Sequence, residues 1–178
     1  MKSVYLSLCL FLLSSCVVAE EPPSKPPKMS LLFSPGFSVQ LPLDVMENST
    51  VINFEGIWIK FENNAELSGI IIMNGEDSLP EGYDIRKFPR YLFGLDKLNS
   101  LPPKFQKIFE SKHPELSNIT NKKDVITYSD DSKTYYHACS DKECESYIVK
   151  KNNKDQILAL FSKGLDLEFI KSITKGIK

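Results

Sequence analysis

Apolar and polar residues alternate with a period of two over several short stretches of the chain, which is the pattern of half-buried strands. Residues 37–41 alternate in this way and stop at Pro42, whereas residues 67–73 are apolar enough for a central strand. Further strands are predicted at residues 51–54, 56–61, 125–128, 134–138, 147–150 and 156–161. Because these segments follow one another across short polar turns, we expect a largely antiparallel sheet.

Two other segments have the spacing of amphipathic helices. One begins after Ser100 with two prolines in its opening turn and ends near His113. The other begins at Asp166, a residue type that caps free backbone amides, and has an apolar stripe made of Leu167, Ile170, Ile173 and Ile177. The pattern therefore predicts an α+β fold, with a largely antiparallel sheet of about six to eight strands and two or more helices packed on one face.

The N-terminal segment has the features of an export signal. Lys2 precedes an apolar run that ends at Leu13, too short to span a bilayer, and Ser14-Ser15-Cys16 follows it. These residues resemble the lipobox of bacterial lipoproteins, in which the cysteine receives a diacylglycerol and becomes the mature N-terminus. The resemblance implies a signal peptide at residues 1–15, lipidation of Cys16 and a membrane-anchored protein in the periplasm.

Other interpretations of the export signal stay open. Val17 lacks the acidic retention signal known among enterobacterial lipoproteins, so their rule implies the outer membrane. Cleavage after Ala19 would instead give an ordinary secreted protein without a lipid. Glycosylation sequons at Asn48 and Asn118 are also compatible with a eukaryotic secreted protein.

Composition indicates one domain behind a tether. Residues 16–30 contain two Pro-Pro pairs among charged residues, which predicts an extended linker that reaches roughly 40 Å. Residues 31–178 then form a single globular domain, a length that suits one core. The chain has 22 basic and 23 acidic residues without a basic cluster, so we expect no nucleic-acid partner.

Cysteine positions predict one disulfide. Cys9 lies in the signal and Cys16 in the lipobox, which leaves Cys139 and Cys144 as a pair. Strand-like residues flank the pair and polar turn residues separate it, so the bridge would join the two strands of a hairpin. A redox-active pair is the alternative, although the spacing and strand context lack the features that lower a thiol pKa.

Candidate chemistry is sparse. A hydrolase could use His113 or His137 as a base, but no Gly-x-Ser-x-Gly motif accompanies them. Paired acids at residues 76–77, 130–131 and 141–145 could hold calcium, yet they fall in predicted turns. We therefore predict no catalytic residue, no metal site and no cofactor.

Residues 86–93 are the one segment that mixes both arginines with aromatic residues. Arginine and tyrosine are enriched among residues that dominate protein interfaces, and Pro89 would break this segment into an exposed loop. The sequence therefore nominates Arg86, Arg90, Tyr91 and Phe93 as partner-binding residues. In the alternative interpretation the aromatic residues are buried under the sheet and the arginines pair with acids at the surface.

Two resemblances guide the expected fold and function. Residues 36–42, together with the strand and closing helix across residues 157–177, are similar to the PsbP-type α/β fold. The lipobox, the size and the cystine hairpin resemble immunity proteins that neutralise effectors delivered to the periplasm. The expected function is therefore a non-enzymatic lipoprotein that binds a protein, namely a secreted toxin effector. An envelope or secretion-complex scaffold is the alternative.

Overall fold

The computed structural model describes residues 26–75, 81–112 and 125–175. Its strands are β1 (Lys28–Ser34), β2 (Phe37–Pro42), β3 (Thr50–Asn53), β4 (Ile57–Lys60), β5 (Glu66–Met73), β6 (Val125–Ser129), β7 (Lys133–Cys139), β8 (Glu143–Lys150) and β9 (Gln156–Lys163). Its α-helices are α1 (Leu43–Met46), α2 (Phe88–Leu92), α3 (Pro103–Lys112) and α4 (Leu167–Thr174). Short 3₁₀ helices span Ile85–Lys87 and Leu98–Ser100.

Seven of the strands form one antiparallel sheet in the order β3-β4-β5-β9-β8-β7-β6. The central strand is β9, which pairs with β5 on one side and β8 on the other. The hairpin β1–β2 forms a separate two-stranded sheet. The predicted α+β class and the largely antiparallel sheet are therefore confirmed.

Both faces of the large sheet are covered, because the side chains of its central strands are apolar on both sides. Tyr136 and Tyr147 pack with α2 and α3 on one face, which we call the α3 face. Tyr135 and Ile148 pack with the β1–β2 hairpin and α4 on the other face, which we call the hairpin face. The two helices predicted from the sequence, α3 and α4, thus lie on opposite faces of the sheet. The short helix α2 lies beside α3 on the α3 face.

The predicted start of the second helix is confirmed. The Asp166 carboxylate accepts a hydrogen bond from the backbone N–H of Phe169 at 2.6 Å, so it caps α4. Ile170 and Ile173 are buried on the predicted stripe, whereas Ile177 lies outside the described residues.

The β1–β2 hairpin begins earlier than the predicted domain boundary. Lys28 is the first residue of β1, so the last residues of the predicted tether belong to the fold. Met29, Leu31 and Phe33 alternate with outward-facing residues in β1, a pattern that the neighbouring prolines obscure. The signal peptide, Cys16, Asn118 and His113 lie outside the described residues. Within the described ranges, no helix is long and apolar enough to span a membrane.

Candidate functional site

The helices α2 and α3 leave one end of their sheet face uncovered. Two rows of paired residues across the strands form this uncovered surface, which we call the open face. The first row contains Ile52, Trp58, Ser68, Phe161 and Glu145. The second row contains Thr50, Lys60, Glu66, Lys163 and Glu143. None of these residues is buried, so the open face is in contact with solvent.

A depression of 330 Å³ lies in the open face. Ser68 pairs with Trp58 on one side and with Phe161 on the other, so a small side chain separates two aromatic ones. Phe161 is 38% exposed and Trp58 is half-buried. Aromatic side chains at a surface depression can bury a large apolar area against a ligand at low entropic cost.

Carboxylates dominate the charge around this depression. Glu66, Glu143 and Glu145 line it together with one cation, Lys163. The Tyr147 hydroxyl donates a hydrogen bond to the Glu145 carboxylate at 2.8 Å, which restrains the orientation of that carboxylate. A cationic side chain can be attracted both by an aromatic ring face and by a carboxylate. The depression therefore suits an arginine or lysine with apolar neighbours.

The second row of the open face has its charges in alternating order. Lys60, Glu66, Lys163 and Glu143 follow one another across the four strands. Opposite charges on directly paired strand residues are mildly stabilising and keep such a surface soluble. This alternation favours the pairing of the four strands at the solvent-exposed end of the sheet.

Residues 86–93, which the sequence predicted as an exposed partner-binding loop, have a different arrangement in the structure. Tyr91 and Phe93 are buried in the core on the α3 face, because residues 88–92 form a helix whose aromatic side chains turn toward the sheet. Arg86 pairs with Asp84 and Arg90 pairs with Asp96, each at 2.7 Å. This arrangement is the alternative interpretation of the segment. Of the four residues that the sequence predicted to bind a partner, only Arg86 and Arg90 are partly exposed.

Both ion pairs shift the pKa of their carboxyl groups. Hydrogen bonds from Arg86 hold the pKa of Asp84 below its usual value, and those from Arg90 do the same for Asp96. Each pair is partly exposed, so its contribution to stability is small.

Sequence reasoning missed the aromatic residues of the open face. Trp58 lies between Ile57 and Ile59, which are partly and fully buried on the hairpin face. Phe161 similarly follows the buried Leu160. An aromatic residue at the outward position of an alternating strand is the signal that could have identified this site.

His137 lies in a buried hydrogen-bonded network on the hairpin face. Its Nδ1 is 2.8 Å from the Ser146 Oγ and its Nε2 is 3.2 Å from the Tyr128 hydroxyl. Burial, with a smaller contribution from the charge of Lys171, lowers the pKa of His137 to about 4. Because His137 and Ser146 are both enclosed, their hydrogen bond satisfies two buried polar groups and is not open to a substrate.

The side chains of the predicted cysteine pair lie on the hairpin face, behind the end of the sheet that carries the depression. Cys139 and Cys144 are directly opposite each other on β7 and β8, at a sulfur separation of 2.00 Å. Cys144 also lines the depression. The disulfide thus links β7 to β8, the strand that carries Glu143 and Glu145.

The acidic turn at Asp130 has a structural role. Its carboxylate accepts hydrogen bonds from the backbone N–H groups of Ser132 and Lys133 and from the Tyr135 hydroxyl, each at 2.7 Å. These bonds lower the pKa of Asp130. In the described part of the chain, no group of three or more His, Cys, Asp or Glu residues is placed to hold a metal ion. Glu76 and Asp77 lie outside that part.

Comparison with known proteins gives no relative for this chain: no family model matches it, and no curated protein or solved structure matches it either.

Proposed function

We propose that this chain is a lipid-anchored periplasmic protein that binds another protein through the open face and thereby neutralises a secreted toxin effector. The observation that carries this proposal is the depression between Trp58 and Phe161 above Ser68. The resemblance of Ser14-Ser15-Cys16 to a lipobox supports the anchor and the compartment.

The chemistry of the open face supports a protein partner with a basic contact residue. Interface hot spots are rich in tryptophan, tyrosine and arginine, and they lie in depressions from which water is excluded on binding. Trp58 and Phe161 supply the apolar anchors, while Glu66, Glu143 and Glu145 attract a positive charge. We therefore expect the partner to insert an arginine or lysine flanked by apolar side chains.

The proposed periplasmic location supports a role in neutralising an effector. A lipid at Cys16 would hold the domain at a membrane surface in the compartment to which the effector is delivered. Neutralisation then requires stoichiometric binding, and no catalytic turnover is needed. An effector encoded beside this gene is the expected partner, whereas a gene neighbourhood of envelope or secretion components would favour the scaffold function.

The test compares protection and binding in matched variants. Trp58→Ala and Phe161→Ala each remove one aromatic anchor and should weaken binding of the neighbouring effector by about 30-fold, the equivalent of about 2 kcal/mol. Ile126→Ala is the control, because Ile126 is similarly exposed at 37% but lies on β6 at the opposite edge of the sheet. Affinity is measured with purified proteins, and protection is measured by competition against a strain that delivers the effector.

The same assay tests the arginines nominated by the sequence. Arg86→Ala and Arg90→Ala should weaken binding only if the partner contact extends to the α2 segment. Undiminished binding by Trp58→Ala and Phe161→Ala together would remove the open face from the interface. Full protection in a strain that lacks this gene would refute the immunity function itself.

A further inference from the structure

The strand β3 forms one edge of the large sheet. It pairs with β4 on one side, and among the described residues it has no strand neighbour on the other. All four of its residues are exposed, including Val51 and Ile52. Soluble proteins usually protect such an edge with charged residues, proline or a covering element, because its free N–H and C=O groups can pair with another strand. Thr50–Asn53 has neither a charge nor a proline.

An exposed apolar patch surrounds this edge. Phe54, at the turn after β3, is 79% exposed and presents roughly 150 Å² of apolar surface. Leu32 of the β1–β2 hairpin is also exposed, and it shares a shallow depression with Asn53 and Gly56. The edge therefore offers unpaired backbone groups and apolar side chains at the same place, which marks an interaction surface.

We propose that two copies of this chain associate by antiparallel pairing of β3 with β3, with Ile52 opposite its own copy. A two-fold axis perpendicular to the sheet places Val51 opposite Asn53 and Thr50 opposite Phe54 of the other copy. No like charges are directly opposed in this register. A register centred on Val51 would bring Glu47 opposite Glu55, a repulsive pair.

The second edge of the sheet explains why the association uses β3. The edge strand β6 has one large exposed apolar residue, Ile126, and its other exposed positions are Thr127 and Ser129. Val51 and Ile52 of β3 and the adjacent Phe54 are all exposed, so burial of this edge removes more apolar surface from water. The two edges thus provide a matched comparison within one molecule.

The proposed pairing joins two sheets into one and keeps their faces aligned. Ile52 belongs to the aromatic row of the open face, so the two open faces become neighbours across the two-fold axis. An interface made of one four-residue strand and a few apolar side chains from each copy is small against the about 1,000 Å² of buried surface expected for a specific interface. We therefore expect a dimer that depends on concentration and that is favoured when copies share a membrane surface.

Cross-linking in membranes tests the pairing directly. Full-length chains carrying Ile52→Cys or, as control, Ile126→Cys are produced in cells, and isolated membranes are treated with a short bis-maleimide. The apparent mass of the Ile52→Cys chain should double, and mass spectrometry should identify a link between the two position-52 cysteines. Adding Phe54→Lys to Ile52→Cys should abolish most of this product. Retention of the Cys139–Cys144 bridge and resistance to protease report correct folding.

The outcomes separate this dimer from the proposed effector binding. If Ile52→Cys fails to fold, the double variant Val51→Cys/Asn53→Cys tests the same register, since these positions face each other between copies. No dimer above the level of Ile126→Cys, or links only to other proteins or within one chain, would overturn the pairing. The open-face variants Trp58→Ala and Phe161→Ala should still cross-link, so loss of effector binding leaves this result unchanged.

Discussion

Acid should destabilise this domain through His137, and the variant His137→Gln isolates the effect. The His137 side chain is 0% exposed and bonds to Ser146 and Tyr128 through its two ring nitrogens. Neutral imidazole can satisfy both partners, because one nitrogen donates and the other accepts. Protonation would place a positive charge in the core near Lys171, which is why the pKa falls to about 4.

The sign and size of this effect follow from proton linkage. The unfolded chain binds a proton at His137 with a pKa of about 6.5, whereas the folded domain resists protonation until about pH 4. Between these values the unfolded state binds more protons, so the free energy of unfolding decreases as the pH falls. The expected loss from this one residue is about 2 kcal/mol at pH 5 and about 3 kcal/mol below pH 4.

Urea unfolding between pH 8 and pH 5 measures this loss. The free energy of unfolding of the wild type should decrease over this interval, while His137→Gln should lose much less over the same interval. His113 is present in both proteins, so its own titration cancels in the comparison. Equal pH dependence in the two proteins would refute the assignment of the effect to His137.

Three further predictions follow from the structure and the sequence. Cys139→Ala/Cys144→Ala should lower the free energy of unfolding by about 2 kcal/mol, measured by urea denaturation, because the cross-link restricts the unfolded chain; unchanged stability together with lost function would point to redox chemistry. Gly69→Ala should destabilise the domain by about 1–3 kcal/mol, since an added Cβ would overlap the Phe33 ring and lie 2.7 Å from the Leu160 side chain; an unchanged melting temperature would contradict this packing. Wild-type protein should fractionate with membranes and carry lipid on Cys16, whereas Cys16→Ala should be soluble or uncleaved; a mature N-terminus at Glu20 without lipid, found by mass spectrometry, would reject the anchor.

The strands were predictable because their alternation is local. Each strand of the large sheet was recognised from its own residues, with bounds that differ from the structure by a few positions. The short helices α1 and α2 were missed, since a helix of one turn has too few residues to show a period. The covering of both sheet faces was also missed, although Tyr135 and Tyr136 are adjacent bulky residues that require a partner on each side.

The candidate site was less predictable than the fold, because it depends on which part of a sheet face the helices leave open. The aromatic row joins Trp58 and Phe161, which are more than a hundred positions apart in sequence. Local reasoning favoured the cluster around Arg90 and Tyr91 because its residues are contiguous. The burial of Tyr91 and the ion pair of Arg90 show that in this chain the contiguous cluster serves packing.

The central strand of the sheet, β9, follows all the other described strands in the chain, so it leaves the ribosome after them. Until Lys163 is available, β3–β5 and β6–β8 have no strand in common and cannot form one sheet. Contacts between distant parts of a chain form slowly, because the intervening segment must first be closed into a loop. A chain that crosses a membrane from its N-terminus onward would therefore complete the large sheet only after residues 156–163 have arrived, and a stop codon before Gln156 would leave two three-stranded half-sheets without the strand that pairs with both.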